Sequence, residues 1–131
     1  MQKTRSELRK IIMIILYQAN IYEERKISYN IDTLIKENLE EENEFVTNSV
    51  KGVLNHLLEL DAIANNLMVD WTIDRIDKTG ASIMRLALFE LKYTDTPPAV
   101  VINEAINLAK SYCDESVRKI INAVLDKYIN E

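Results

Sequence analysis

From Ser82 to Tyr93 the chain reads Ser-Ile-Met-Arg-Leu-Ala-Leu-Phe-Glu-Leu-Lys-Tyr, and within it only Ser82, Arg85, Glu90 and Lys92 are polar. At helical spacing Ile83, Leu86, Ala87 and Leu91 form one apolar stripe, while Met84, Leu88 and Phe89 carry the apolar surface round to other sides. A helix with so narrow a polar arc is surrounded by other elements rather than laid on a surface. Any fold of this chain therefore has to place Ser82–Tyr93 at its centre, with Met84, Leu88 and Phe89 as core residues.

The surrounding elements are helices as well. Two glycines and two prolines in 131 residues fall far below the average usage of about 7% and 5%, and a sheet protein needs many more turn residues. The expectation is an all-α fold, a single compact helical bundle of six or seven helices formed by residues 1–131 as one domain. Thr4-Arg5-Ser6-Glu7 has the form of a capping box, so a first helix starts there and runs to about Asn20. Leu8, Ile11, Ile12, Ile15 and Ala19 are its buried stripe, and the run Ile11–Leu16 spills over the flank through Met13 and Ile14. That width implies burial on two sides or an interface with a partner.

A charged connection from Glu23 to Lys26 leads to a second helix, capped by Ser28 or Asn30 and bearing Ile31, Leu34, Ile35 and Leu39. Glu37, Glu40, Glu41, Glu42 and Glu44 then crowd together, and mutual repulsion predicts a solvated loop. From Asn43 a helical pattern continues through Leu67, with a break expected near Asp61 and with Gly52 marking close approach of another helix backbone. His56 lies off the main stripe and is expected to be solvated or capped. Trp71 and Ile73 are expected to tuck inward from a short connection, and Asp77 or Thr79 to cap the central helix. Pro97-Pro98 ends that helix by about Asp95 and opens the next one, which carries Val101, Ile102, Ala105, Ile106, Leu108 and Ala109. Asp114 or Ser116 caps a last helix with Val117, Ile120, Ile121, Val124, Leu125 and Tyr128 on one face.

The catalytic inventory is thin. Gly52 and Gly80 are the only glycines, so no glycine-rich loop can cradle phosphates. One cysteine, Cys113, and one histidine, His56, make neither an intrachain disulfide nor a His/Cys metal cluster. The chain is read as non-enzymatic, without cofactor or metal. Its longest wholly apolar run, Ile11–Leu16, is far short of the ~20 residues of a bilayer span, and no secretory signal pattern opens it. A cytoplasmic protein without membrane contact is expected.

The formal net charge of −5 does not advertise a nucleic-acid binder, yet the first ten residues set Lys3, Arg5, Arg9 and Lys10 against Glu7 alone. At about 100° per residue, Arg5, Arg9 and Tyr17 fall within about a third of the helix circumference. Guanidinium groups beside an aromatic ring suit single-stranded RNA, which needs charge for phosphates and a flat face for an unstacked base. Arg118, Lys119 and Asn122 share the polar side of the last helix. The expectation is that the positive charge of both termini converges in one cleft beside Tyr17. Arg85, inside the central helix, is expected to pair with Glu90 or Glu104, and Asn103 and Glu104 to satisfy free N–H groups near their helix start.

Several segments, in order along the chain, resemble the NusB family of transcription antitermination factors. They are Arg5…Arg9…Leu16-Tyr17, Phe45-Val46…Val50-Lys51-Gly52-Val53…Asn55, Trp71…Asp74-Arg75-Ile76 and Ile83–Leu91, followed by Pro98…Val101-Ile102-Asn103-Glu104-Ala105…Leu108-Ala109-Lys110 and Lys119…Asn122-Ala123-Val124-Leu125-Asp126. The resemblance implies an all-helical protein that binds boxA-type single-stranded RNA together with NusE, a small-subunit ribosomal protein, and joins the RNA polymerase antitermination complex on ribosomal RNA operons. It implies that Arg5 and Arg9 hold phosphates, that Tyr17 lies at the RNA- or partner-facing surface, and that Lys119 and Asn122 border the same groove. Lys3, Lys10 and Arg118 join this RNA-binding set. Gly80, Ala81, Ile83 and Met84, at the start of the central helix, are the implied NusE-contacting residues.

This chain departs from the family where Gly80-Ala81 replace a common charged pair, Ile120 an aromatic and Ala123 a glycine. With about four phosphates neutralised, log affinity falls with log salt at a slope near −3, from ~0.7 per phosphate. The alternative reading is a non-catalytic protein-interaction or homodimerisation module, working through the apolar flank of the first helix without touching RNA.

Overall fold

Helix starts divide the chain. The computed structural model describes residues 2–131, and among these are seven helices and no strand: α1 (Arg5–Glu24), α2 (Ile31–Asn38), α3 (Glu44–Asn55), α4 (Leu57–Leu67), α5 (Lys78–Tyr93), α6 (Pro98–Tyr112) and α7 (Glu115–Ile129). Five begin with a side chain that accepts a hydrogen bond from an otherwise unpaired backbone N–H: Thr4 for α1, Asn30 for α2, Asn43 for α3, Asp77 for α5 and Asp114 for α7. Such caps are worth about 1 kcal/mol each in typical hosts. The α6 start instead uses Pro98 in its first turn, where the missing N–H costs nothing.

The central helix is α5. Every residue from Gly80 to Glu90 is buried, and α1, α3, α4, α6 and α7 all pack against it. Its buried polar groups are each satisfied inside the bundle. The Ser82 hydroxyl donates to the Lys78 carbonyl at 3.0 Å, and Arg85 makes a two-bond pair with Asp61 at 2.7 and 3.0 Å. Asp61, and not Glu90 or Glu104, is thus the Arg85 partner. Glu90 is engaged elsewhere.

Helix α1 runs four residues beyond the expected Asn20, because Ile21 and Tyr22 continue its half-buried face. It ends where Lys26 takes a left-handed conformation (φ 55°). Met13 and Leu16 are buried within the chain as α1 packs against α2, α3 and α5. Met13 on the broad apolar flank is therefore used internally, while Ile11 and Ile14 pack against the core and stay half-buried.

The α3–α4 break falls at His56 rather than Asp61. The His56 ring stacks on Tyr93 with centroids 4.2 Å apart, while Asp61 has to stay helical to meet Arg85. His56 is half-buried against that ring, neither simply solvated nor a side-chain cap. Gly52 faces a ring, not a helix backbone: a Cβ there would lie 2.2 Å from Phe89 Cζ. Trp71 stays 44% exposed, against the inward placement expected of it, whereas Ile73 is buried. The Ile73 N–H donates to the Asn65 side chain at 2.7 Å, which turns Ile73 inward and leaves the indole outside under the Arg75 guanidinium.

Candidate nucleic-acid interface

On α1, Arg9 recurs with Ile12, Met13 and Leu16 at the i, i+3, i+4, i+7 spacing of one helix face, and all four are buried. Its guanidinium donates two hydrogen bonds to the Glu90 carboxylate, at 2.9 and 2.8 Å. A third nitrogen lies 3.8 Å from Glu104, whose carboxylate also accepts from the Ser6 hydroxyl at 2.7 Å. Hydrogen bonding to Glu90, opposed by burial, holds the Arg9 guanidinium above its ordinary pKa. With 4% of its surface exposed, Arg9 spends its charge inside the protein, tying α1 to α5 and α6. Glu104 serves this clamp and not the α6 N-terminus; α6 has no side-chain cap.

The clamp fixes the first turns of α1, and the neighbouring cations stand outside it. Arg5 is exposed and its guanidinium carbon lies 4.0 Å from the centre of the Phe45 ring. Lys10 is exposed and its ammonium sits 5.6 Å from the Tyr112 ring centre. The Tyr112 hydroxyl beside it holds the Lys10 pKa above the usual lysine range. Both distances fall in the cation–π range of about 6 Å. Arg5 has no carboxylate within ion-pair distance among the described residues. Tyr17 is 39% exposed.

Arg5 and Lys119 line different cavities. Arg5 and Lys3 border a cavity of about 1010 Å³ together with Glu40, Glu41, Glu42, Glu44 and Phe45. Arg5 and Phe45 also line a second cavity of about 710 Å³ that reaches Phe89, Tyr93 and Thr96. Lys119 lies with Ile120, Ala123 and Lys127 along a third, of about 240 Å³, against the end of α4. Tyr17 lines none of these three, so the cleft expected beside it gives way to separate grooves. The link between the two ends is Lys10 on Tyr112, the last residue of α6, just before α7 starts. There Arg118 and Lys119 each approach Glu115, at 3.5 and 3.7 Å, and Asn122 is exposed.

Gly80, Ala81, Ile83 and Met84 are all buried. Gly80 packs so closely under α7 that a Cβ would lie 2.5 Å from Val117 Cγ1. None of the four presents a surface to a partner in this structure, because α5 is enclosed from Gly80 onward. Phe45, Glu90 and Tyr112 were not in the sequence-derived site. Phe45 read as one more apolar residue of α3, and Tyr112 becomes relevant only once α1 and α6 lie side by side.

The family model described as NusB family matches residues 6–130. The chain is similar to the transcription antitermination protein NusB of Ligilactobacillus salivarius (strain UCC118), at 33% identity over 135 residues, covering 98% of this chain and 100% of that protein. It is likewise similar to the protein of the same name from Listeria innocua serovar 6a, at 37% identity over 123 residues, with 92% of each covered. Among solved structures it resembles T. maritima NusB with a TM-score of 0.84 and 26% identity, covering 100% of this chain and 94% of that one. It also resembles a chain in a complex of antitermination factors NusB and NusE with double-stranded RNA, with a TM-score of 0.81, 26% identity, and 99% and 98% covered.

Proposed function

This chain belongs to the NusB family, and from that membership we propose that it is a transcription antitermination factor. In this reading it binds boxA-type single-stranded RNA together with NusE, enters the RNA polymerase antitermination complex, and promotes ribosomal RNA transcription in the cytoplasm without catalysing a reaction. Among the described residues no helix is long and apolar enough to cross a membrane.

The observation that carries the proposal is the division of labour on α1. Arg9 is neutralised inside the bundle, and Arg5 and Lys10 are left outside, each over an aromatic ring. A cation fixed over a ring supplies charge for a phosphate and a platform for a base. Lys3, Arg5, Lys10 and Lys119 supply the contacts to phosphates, Tyr17 and Asn122 touch base or sugar, and Arg118 stands behind them. Arg9 is a positioning residue. Gly80, Ala81, Ile83 and Met84 shape the NusE-facing end of α5 from beneath the surface.

Fluorescence anisotropy with a labelled boxA-like RNA, single-stranded and duplexed, with and without NusE, tests this reading. The expected result is preference for the single strand, strengthened by NusE and weakened several-fold by Arg5→Ala. Equal or absent binding in every arm overturns it.

A further inference from the structure

We propose that the groove between α3, α5 and α6 receives one unstacked base of single-stranded RNA, with the adjoining phosphate held by Arg5; this rests on the RNA-binding reading above. The groove has a volume of about 710 Å³, within the ~300–1,000 Å³ range of clefts that enclose small organic ligands. Its walls carry three aromatic rings, Phe45, Phe89 and Tyr93. Tyr93 is 41% exposed, and His56 stacks on it at 4.2 Å, which holds the phenol ring in place. Every nucleobase has a π-face, so such a wall takes a base whatever its identity.

Two features argue for a nucleotide rather than an apolar peptide. Arg5, on the rim, is a cation already seated on Phe45 and without a carboxylate partner among the described residues. Its planar fork of donors matches a phosphate. Beside it on α3, Asn48 lines the groove and is exposed, and its side-chain amide makes no hydrogen bond among the described residues. A free amide in an aromatic-walled groove offers both a donor and an acceptor to a base edge.

Charge decides which side of Arg5 the strand takes. The larger cavity on the other side sets Glu40, Glu41, Glu42 and Glu44 against Lys3 and Arg5, and that excess of carboxylates repels a phosphate chain. The proposed groove is lined by two carboxylates, Glu44 and Glu104, the latter also held by the Ser6 hydroxyl, against four in the larger cavity. The strand therefore crosses the Arg5–Phe45 stack towards α5 and α6.

The test is an abasic scan of a 12-nucleotide boxA-like RNA against the full chain with NusE present, followed by anisotropy. In the unaltered protein, removing the base at one position beyond the α1 contacts weakens binding about tenfold, the size of one stacked base. Asn48→Trp, which fills the groove from an exposed position, weakens the intact RNA by a similar factor. It also abolishes the penalty at that position while leaving the salt slope unchanged. Thr96→Trp, on the opposite wall, gives the same pattern should Asn48→Trp fail to fold. If the RNA binds but no abasic position beyond α1 matters, or the filled grooves bind as the unaltered protein does, this inference is overturned and the RNA reading stands. If the unaltered protein binds no RNA, both fall.

Discussion

Removing Glu90 tests what Arg9 is for. In Glu90→Leu the Arg9 guanidinium loses two charged hydrogen bonds, at 2.9 and 2.8 Å, and stays almost fully buried. Breaking a buried pair from one side typically costs about 3–5 kcal/mol, because an uncompensated charge remains. Glu104 remains 3.8 Å away on the other side of the guanidinium, so the lower end applies, about 3 kcal/mol. A single domain has only ~5–15 kcal/mol in total. With a urea m-value of about 2 kcal/mol per molar, the unfolding midpoint drops by about 1.5 M. The double variant Arg9→Met/Glu90→Leu removes both charges and keeps the volume, and is expected to recover most of that loss. Urea titrations followed by far-UV circular dichroism read all three proteins and the Arg9→Met single variant. RNA affinity is then measured on the double variant, where a threefold change or less is expected if Arg9 only positions α1. A cost below about 1 kcal/mol for Glu90→Leu, or single costs that add without coupling, refutes the clamp. A large loss of RNA affinity in a stable double variant returns Arg9 to the RNA surface.

Other consequences are open to simpler measurements. Gly52→Ala gains about 1 kcal/mol of helix propensity, but its Cβ would meet Phe89 Cζ at 2.2 Å. Overpacking of that kind typically costs about 1–3 kcal/mol, so thermal melting should show a net loss of stability, and a higher Tm would contradict the packing described. Burial, with Asp77 adding to it, pushes the Cys113 thiol up to about 12 from 9.0. The unfolded chain then releases this proton first as pH rises, so the thiol's contribution to stability is intact below about 9 and is lost between there and about 12. Alkylation at pH 8 should be much slower in the folded than in the unfolded protein, and equal rates would refute the assignment. Lys26 holds a left-handed backbone at φ 55°, so Lys26→Gly is expected to stabilise by up to about 1 kcal/mol, and a lower urea midpoint would count against it.

Much of this fold was readable locally. Thr4, Asn43, Asp77 and Pro98 mark helix starts through chemistry confined to a few residues, and the apolar arc of Ser82–Tyr93 announces a central helix before any neighbour is known. Features that depend on a distant partner were not. The α3–α4 break needs Tyr93 to receive His56, and the outward Trp71 follows from Asn65 catching the Ile73 N–H. Arg9 is the instructive case. Its charge suggested a surface role shared with Arg5, yet its spacing to Ile12, Met13 and Leu16 already put it on the buried face. Arg5 and Arg9 are four positions apart, and the tertiary fold gives them opposite tasks. The burial of Gly80–Met84 was also latent in the sequence, because the enclosure inferred for Ser82 onward extends to the first turn of α5. The proposed RNA site is the least local feature of all, since Phe45 and Tyr112 meet α1 only after folding.

The most direct test is the salt dependence of single-stranded RNA binding by the unaltered chain and by Arg5→Ala, Lys10→Ala and Arg9→Met/Glu90→Leu. With Lys3, Arg5, Lys10 and Lys119 each meeting a phosphate, the slope of log affinity against log salt is about −3, and each exposed-cation variant flattens it by ~0.7. The clamp variant leaves it unchanged. A slope near zero, or one altered by the clamp variant and not by Arg5→Ala, contradicts the account.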